Sequence, residues 1–143
     1  MNICGALSWM RAVGASAVLW LAATAAPAQT ACPPPMQAMT SVNLYLGGAM
    51  PDGGTVTRAQ FQSFLASVVT PRFPDGLTVA EVRGQYRLQG GRIAAEPTRL
   101  LTIIVADAVA AGPKIEEIIA AYKARFRQES VARDQRVDCV AFE

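Results

Sequence analysis

Five charged side chains lie on the second predicted strand, in the corner before it and across the hairpin after it. They carry most of the chemistry in this sequence. They are Arg72, Glu81, Arg83, Arg87 and Glu96. Arginine binds carboxylate and phosphate groups through paired hydrogen bonds, and a buried glutamate can act as a general base. The set therefore predicts a site for a small anionic ligand or, with Tyr86 added, an active site that works without histidine.

The same charges also have a purely structural interpretation. Opposite charges on neighbouring strands form exposed ion pairs, which contribute little to stability. The sequence alone leaves both interpretations open.

Histidine is absent from all 143 residues. This absence excludes Ser–His and Cys–His nucleophile pairs, imidazole acid–base catalysis and imidazole ligands to a metal or haem. We therefore predict no catalytic residue, no metal site and no cofactor, and we favour a protein that is not an enzyme.

The charge balance limits the possible partners. Thirteen Lys and Arg against 11 Asp and Glu give a net charge of +2, and no basic block is present. A nucleic-acid partner is therefore not expected. The length suits a single domain.

The first 28 residues have the pattern of a secretory signal. Arg11 precedes an uncharged apolar run, and Ala26-Pro27-Ala28 supplies the small residues that a signal peptidase requires. The run is too short and too rich in alanine for a membrane span. We predict a signal peptide over 1–28, a Pro-rich leader over 29–39 and one domain over 40–143, with no membrane span in the mature chain.

Two cysteines, Cys32 and Cys139, remain after cleavage near Ala28, because Cys4 leaves with the signal. In a secreted or periplasmic protein they are expected to form one disulfide. The alternative is a lipoprotein anchored through Cys32, although Gln29 stands where such signals usually carry leucine.

Hydrophobic periodicity divides the mature chain into six elements. Strands are predicted over 40–47, 77–88, 92–106 and 130–142, and helices over 57–70 and 113–127. The order β-α-β-β-α-β predicts an α+β, ferredoxin-like split βαβ fold, in which a four-stranded antiparallel sheet carries both helices on one face. The first and last strands are adjacent in this fold, which brings the two cysteines together.

The second strand separates apolar from charged residues. Ala80, Val82, Tyr86 and Leu88 share one parity and are predicted to face the core, so Glu81, Arg83 and Arg87 would lie on the open face. Tyr45 is expected on that open face as well. The third strand is apolar on both parities, as in a central strand or one covered by a partner.

The run TPRFPDGLTV at 70–79 is the densest set of backbone signals. Pro71 must end the preceding helix, and Pro74-Asp75-Gly76 is typical of a turn. We interpret the run as a helix-to-strand corner with an internal contact between Arg72 and Asp75. Turn geometry does not require a cation at Arg72, so this residue is a candidate for function.

The segments LYLG (44–47), TPRFPDGLTV (70–79), GQYR (84–87), EPTR (96–99) and QESV (128–131), behind a signal, resemble domain-of-unknown-function family 3574. These are small secreted bacterial proteins, and the resemblance covers nearly all of the mature chain. It implies a secreted, compact α+β domain and implies no activity, substrate or catalytic residue.

Two functions are consistent with the sequence. The first is a non-catalytic module that binds a partner or forms a homodimer through the open sheet face. The alternative is a binder of a small anionic ligand, or an enzyme without histidine, with a site lined by arginine and glutamate.

Overall fold

The computed structural model of the protein describes residues 31–87 and 90–143. It contains the predicted β-α-β-β-α-β order, with a π-helical turn at Leu65–Val69 that extends the first helix. The elements are β1 Gln37–Gly47, α1 Arg58–Phe64, β2 Thr78–Arg87, β3 Ile93–Val105, α2 Ala108–Phe126 and β4 Ala132–Val140.

The four strands form one antiparallel sheet in the order β2-β3-β1-β4. The central position of β3 and the adjacency of β1 and β4 confirm the predicted topology, and the fold is ferredoxin-like. Both helices pack on one face, where Phe64 of α1 meets the ring of Tyr122 of α2 edge-on at 5.2 Å. The other face of the sheet carries no helix among the described residues.

Alternating residues of the two central strands form the floor of the core. Val42 is paired with Ile103 and Leu44 with Leu101, and all four side chains are buried beneath the helices. Burial of such side chains stabilises the fold by roughly 1.5–3 kcal/mol each. The period of two in β1 therefore gives the correct assignment of its faces.

The first helix begins with the capping box that its sequence predicts. The Thr57 hydroxyl accepts from the backbone N–H of Gln60, and the Gln60 side chain accepts from the backbone N–H of Thr57. At its far end the N–H of Thr70 donates to the carbonyl of Leu65, a π-type bond, before Pro71 ends the helix.

The second helix begins five residues earlier than predicted. The Asp107 carboxylate accepts from the N–H groups of Val109 and Ala110, so the helix starts at Ala108 and contains Pro113. The prediction of a start at Pro113 is wrong because a strong N-cap lies upstream. Proline lacks an N–H and its ring crowds the carbonyl four residues earlier, but the helix continues through Pro113 without that hydrogen bond.

A disulfide joins Cys32 to Cys139, with 5.5 Å between their Cα atoms. Strand pairing brings the start of β1 to this end of β4, because Ala38 lies opposite Cys139, and Cys32 precedes β1 by five residues. The predicted disulfide is confirmed. The predicted signal over 1–28 lies outside the described residues.

The faces of β2 are the reverse of the prediction. Val79 pairs with the buried Leu101, so the odd-numbered positions, including Glu81, Arg83 and Arg87, lie on the helix side of the sheet. The even-numbered residues Ala80, Val82 and Tyr86 lie on the open face, and Leu88 is outside the described residues. The physical reason is that β2 is an edge strand, whose helix side beyond Val79 is exposed to solvent and tolerates charge.

Candidate functional site

Strands β2 and β3 continue as a two-stranded ribbon past the end of β1. The pairing of β1 with β3 ends at Gly47 and Thr98, whereas β2 and β3 remain paired as far as Arg87 and Ile93. A cavity of about 500 Å³ lies between this ribbon and the body of the protein, on the open side of the sheet. Its volume is within the range typical of small-molecule sites.

Four short segments far apart in the sequence line this cavity, which we call the Glu96 cavity. Each lies within one of the segments LYLG, GQYR, EPTR and QESV. The lining residues from these segments are Tyr45, Gly47, Gly84, Gln85, Tyr86, Glu96, Thr98, Gln128, Glu129 and Ser130. Tertiary folding therefore gathers four of the five segments that mark the family resemblance around a single cavity.

The Glu96 carboxylate occupies the space beside a glycine. A Cβ atom added to Gly47 would lie 2.9 Å from both carboxylate oxygens, so only glycine leaves room for the carboxylate in this position. The backbone N–H of Ala49 donates to Oε2 of Glu96 at 3.0 Å. Gln128 holds the same loop by donating from Nε2 to the carbonyl of Ala49 at 2.6 Å.

A second glycine allows close packing within the ribbon wall of the cavity. Gly84 lies directly opposite Glu96 in the β2–β3 ladder. A Cβ atom there would lie 2.8 Å from Oγ1 of the buried Thr98. Since glycine weakens a strand, its presence at both positions favours a need for space over a need for strand stability.

Hydrogen bonds fix the orientation of the Tyr45 ring, which forms another wall. The Tyr45 hydroxyl donates to one Asp134 oxygen at 2.9 Å, and Asn43 donates to the other at 3.0 Å. Thr102 in turn donates to Asn43 at 2.7 Å. The bonds from Asn43 and Tyr45 lower the pKa of Asp134, and the bond to Asp134 raises the pKa of Tyr45.

Acidic groups dominate the charge around the cavity. Glu96 and the exposed Glu129 carry negative charge there, and Arg127 is the cation among the lining residues. Arg127 forms an ion pair with Asp52, so its charge is compensated outside the cavity.

The structure does not bring the five predicted site residues together. Glu96 lines the cavity on the open face, whereas Glu81, Arg83 and Arg87 lie on the helix side of β2. Glu81 pairs with Arg58 of α1 at 3.7 Å. The predicted convergence of these charges is wrong, and a ligand-binding role for each of them stays a prediction.

Arg72 has structural partners different from the predicted Asp75. Its Nε donates to Glu117 of α2 at 2.8 Å, and its Nη1 donates to the carbonyl of Val68 at 2.7 Å. Arg72 therefore ties the end of the first helical segment to the second helix.

Residues 72–78 of the TPRFPDGLTV run line a second, larger cavity of about 760 Å³, which we call the corner cavity. It lies at the opposite end of the sheet from the Glu96 cavity, beside Met39 at the start of β1 and Phe142 after β4. The ammonium group of Lys114 lies 5.8 Å from the centre of the Phe73 ring in its wall.

Sequence reasoning missed several residues of the Glu96 cavity. Tyr86 was predicted to face the core but faces the cavity, and Thr98 and Gln128 received no role. The available signal was the set of family-like segments, which marked the right positions without showing that they meet.

Within residues 31–87 and 90–143, no group of three or more cysteine and carboxylate side chains is arranged to hold a metal ion. The same part of the chain contains no helix that is long and apolar enough to cross a membrane.

The chain belongs to the family described as "Protein of unknown function (DUF3574)", whose sequence model matches residues 41–142. No curated protein matches the chain.

Solved structures resemble the protein at the level of the fold. A phage SAM lyase in complex with S-methyl-5′-thioadenosine is 17% identical, with a TM-score of 0.58 over 73% of this chain and 90% of that chain. A phage SAM lyase in its apo state is 18% identical, with a TM-score of 0.55 over 74% and 91%. CutA from Synechococcus elongatus is 10% identical, with a TM-score of 0.47 over 71% and 78%.

Proposed function

We propose that this member of the family is an exported binding protein that holds a small molecule in the Glu96 cavity. The observation that carries the proposal is the meeting of four distant segments around one cavity. Their residues include two glycines that allow close packing of the cavity walls, and a partly exposed glutamate that lies outside the hydrophobic core. A polar group held in place beside an open volume is typical of a ligand site.

The disulfide supports export. Structural disulfides form and persist mainly in oxidising compartments, such as the periplasm or the outside of the cell. The Cys32 sulfur is bonded to Cys139, so it has no free thiol for attachment of a lipid. We therefore favour a secreted or periplasmic protein over a lipoprotein anchored through Cys32.

A thermal-shift screen of the oxidised mature protein against a library of small metabolites tests the proposal. S-adenosylmethionine and S-methyl-5′-thioadenosine belong in the library because a phage SAM lyase with this fold has been solved in complex with S-methyl-5′-thioadenosine. We expect at least one compound to raise the melting temperature of the wild type and to have a smaller effect on Glu96→Gln.

Glu81→Gln is the matched control, because Glu81 is an exposed glutamate on the neighbouring strand and the opposite face of the sheet. This variant should respond to the ligand as the wild type does. A screen without any stabilising compound, or equal losses in both variants, would contradict the proposed site.

A second candidate function is self-association through the open face, as a homodimer. Val82, Tyr86 and Ile104 lie on the open face of β2 and β3 with 38%, 48% and 36% of their surface exposed. Val82 and Tyr86 lie four positions apart on the edge strand β2, whereas Ile104 lies on β3 at the other end of the sheet. The exposed apolar pair on the edge strand favours contact with a second copy of the chain.

Sedimentation of the mature protein at micromolar concentration measures this association. A dimer should dissociate in Val82→Asp and persist in Val109→Asp, the control, because Val109 is an 87% exposed valine on α2. A monomeric wild type would remove this candidate and leave the cavity proposal unaffected.

A further inference from the structure

We propose that the ligand of the Glu96 cavity is a small organic cation, such as a quaternary ammonium or sulfonium compound. This inference rests on the proposed function and gives the ligand a chemical class. The ligand would therefore be positively charged, whereas the arginines in the sequence suggested a negatively charged ligand.

The first step in the argument is the charge of the lining. Glu96 lines the cavity and receives one backbone hydrogen bond, from the N–H of Ala49. Its second oxygen, Oε1, lies as close as Oε2 to the position that a Cβ atom of residue 47 would occupy. Arg127 forms an ion pair with Asp52, and Glu129 adds a further negative charge. A cationic ligand would neutralise this excess, whereas an anion would be repelled by it.

The second step is the arrangement of the aromatic rings. Tyr45 of β1 and Tyr86 of β2 line the same cavity as Glu96 from different strands, and 40% and 48% of their respective surfaces are exposed. Aromatic faces beside a carboxylate are the surroundings that weakly hydrated organic cations prefer. The Tyr45 hydroxyl donates to Asp134, so its ring is already held in place before a ligand binds.

The third step concerns space. The cavity has a volume of about 500 Å³, and glycine at positions 47 and 84 lets Glu96 and Thr98 pack closely against the backbone of its walls. An inorganic cation needs several oxygen ligands at short range and little volume. A cavity of about 500 Å³ lined by two glutamates and two tyrosine rings fits a bulky organic cation better.

A matched pair of probes separates charge from shape. Choline and 3,3-dimethylbutan-1-ol have nearly the same shape, but only choline carries a positive charge. We expect choline to give saturable NMR shifts at the cavity residues and to bind at least about tenfold more tightly than the alcohol. Glu96→Gln should remove the preference, Tyr86→Leu should reduce it, and Glu81→Gln should leave it unchanged.

Failure of this inference is distinguishable from failure of the proposed function. The proposal of a cationic ligand is wrong if the two probes bind equally or if the alcohol binds more tightly. It is also wrong if choline, tetramethylammonium and benzyltrimethylammonium all fail to saturate the site. If a neutral or anionic library compound then binds in the cavity in a Glu96-dependent manner, the cavity is still a ligand site. If neither experiment detects binding there, both proposals are wrong.

Discussion

The two cavities differ in how their polar side chains are used. In the corner cavity, Arg72 makes hydrogen bonds to Glu117 and Val68 that join the helices of the fold. In the Glu96 cavity, the glutamate accepts one bond from a loop N–H and packs against Gly47. Arg72 of the larger cavity therefore contributes to the scaffold, whereas our proposal assigns Glu96 of the smaller cavity to a ligand. Volume and a conspicuous sequence are weaker guides to a site than the partners of each polar side chain.

The largest expected effect comes from the disulfide, which lies at the corner end of the sheet. Replacing both cysteines, as Cys32→Ser with Cys139→Ser, opens a loop of 107 residues. In the chain-entropy model this lowers the free energy of unfolding by about 4–5 kcal/mol, measurable by urea denaturation. Ligand affinity at the Glu96 cavity should be unchanged below the unfolding transition. A loss of ligand affinity in the folded variant would show that the disulfide end of the sheet affects the Glu96 cavity at the other end.

The next effect concerns the helix beneath the Glu96 cavity. The buried Tyr122 hydroxyl donates to the carbonyl of Gly47 at 2.8 Å. Tyr122→Phe leaves that carbonyl without this bond and should lower the free energy of unfolding by about 1–3 kcal/mol at neutral pH.

Alkaline titration sharpens the same test. Burial raises the pKa of Tyr122 from 10.0 to about 12. Because the folded-state pKa lies above the unfolded value, the stabilisation is fully present below pH 10 and is lost as the pH rises through about 12. The stability difference between wild type and Tyr122→Phe should therefore shrink across this window. A constant difference would show that Tyr122 does not ionise on unfolding.

A smaller effect is expected at Arg72. Arg72→Ala removes a partly exposed ion pair and a hydrogen bond to Val68 and should lower the free energy of unfolding by about 1 kcal/mol. It should leave ligand binding unchanged, whereas a binding defect would assign the corner cavity a function. Glu117→Ala is the matched control, because it removes only the ion pair and should cost less.

The smallest effect on stability is expected at Gly47. The added methyl group of Gly47→Ala would meet the flexible end of Glu96, which can move aside, so the free energy of unfolding should change by less than about 0.5 kcal/mol. Ligand affinity should fall because the carboxylate is displaced. Gly48→Ala is the contrasting variant, because its methyl group would meet the backbone carbonyl of Pro97 at 2.7 Å and should destabilise the fold by about 1–3 kcal/mol. Unchanged binding in Gly47→Ala would contradict the role of the carboxylate.

Much of the fold could be predicted because each element carries a local signal. The alternation of Val42, Leu44 and Leu46 defines the core face of β1, and Thr57 with Gln60 marks the start of α1. The faces of β2 could not be assigned in this way, because period-two alternation shows that two faces differ and not which of them meets the helices. Its edge position, which only the complete sheet determines, leaves the helix side exposed to solvent.

The candidate site was less predictable for a different reason. Glu96 was identified by its charge, but its neighbours Gly47, Gly84 and Thr98 have ordinary residue types that attract no attention alone. Their significance comes from the β1–β3 and β2–β3 registers, which place them side by side. Arg72 shows the reverse case, since its conspicuous charge has structural partners in Glu117 and Val68 that no local pattern indicates, and its role in ligand binding stays a prediction.

The disulfide also determines how the protein would respond to mechanical force. Because Cys32 and Cys139 are bonded, a pulling force applied through the segments outside them passes directly across the sulfur atoms. The residues between them, including both helices and the Glu96 cavity, would carry almost none of that load. While the bond is intact, the site is therefore insulated from tension in its surroundings, and reduction would make the same domain extensible.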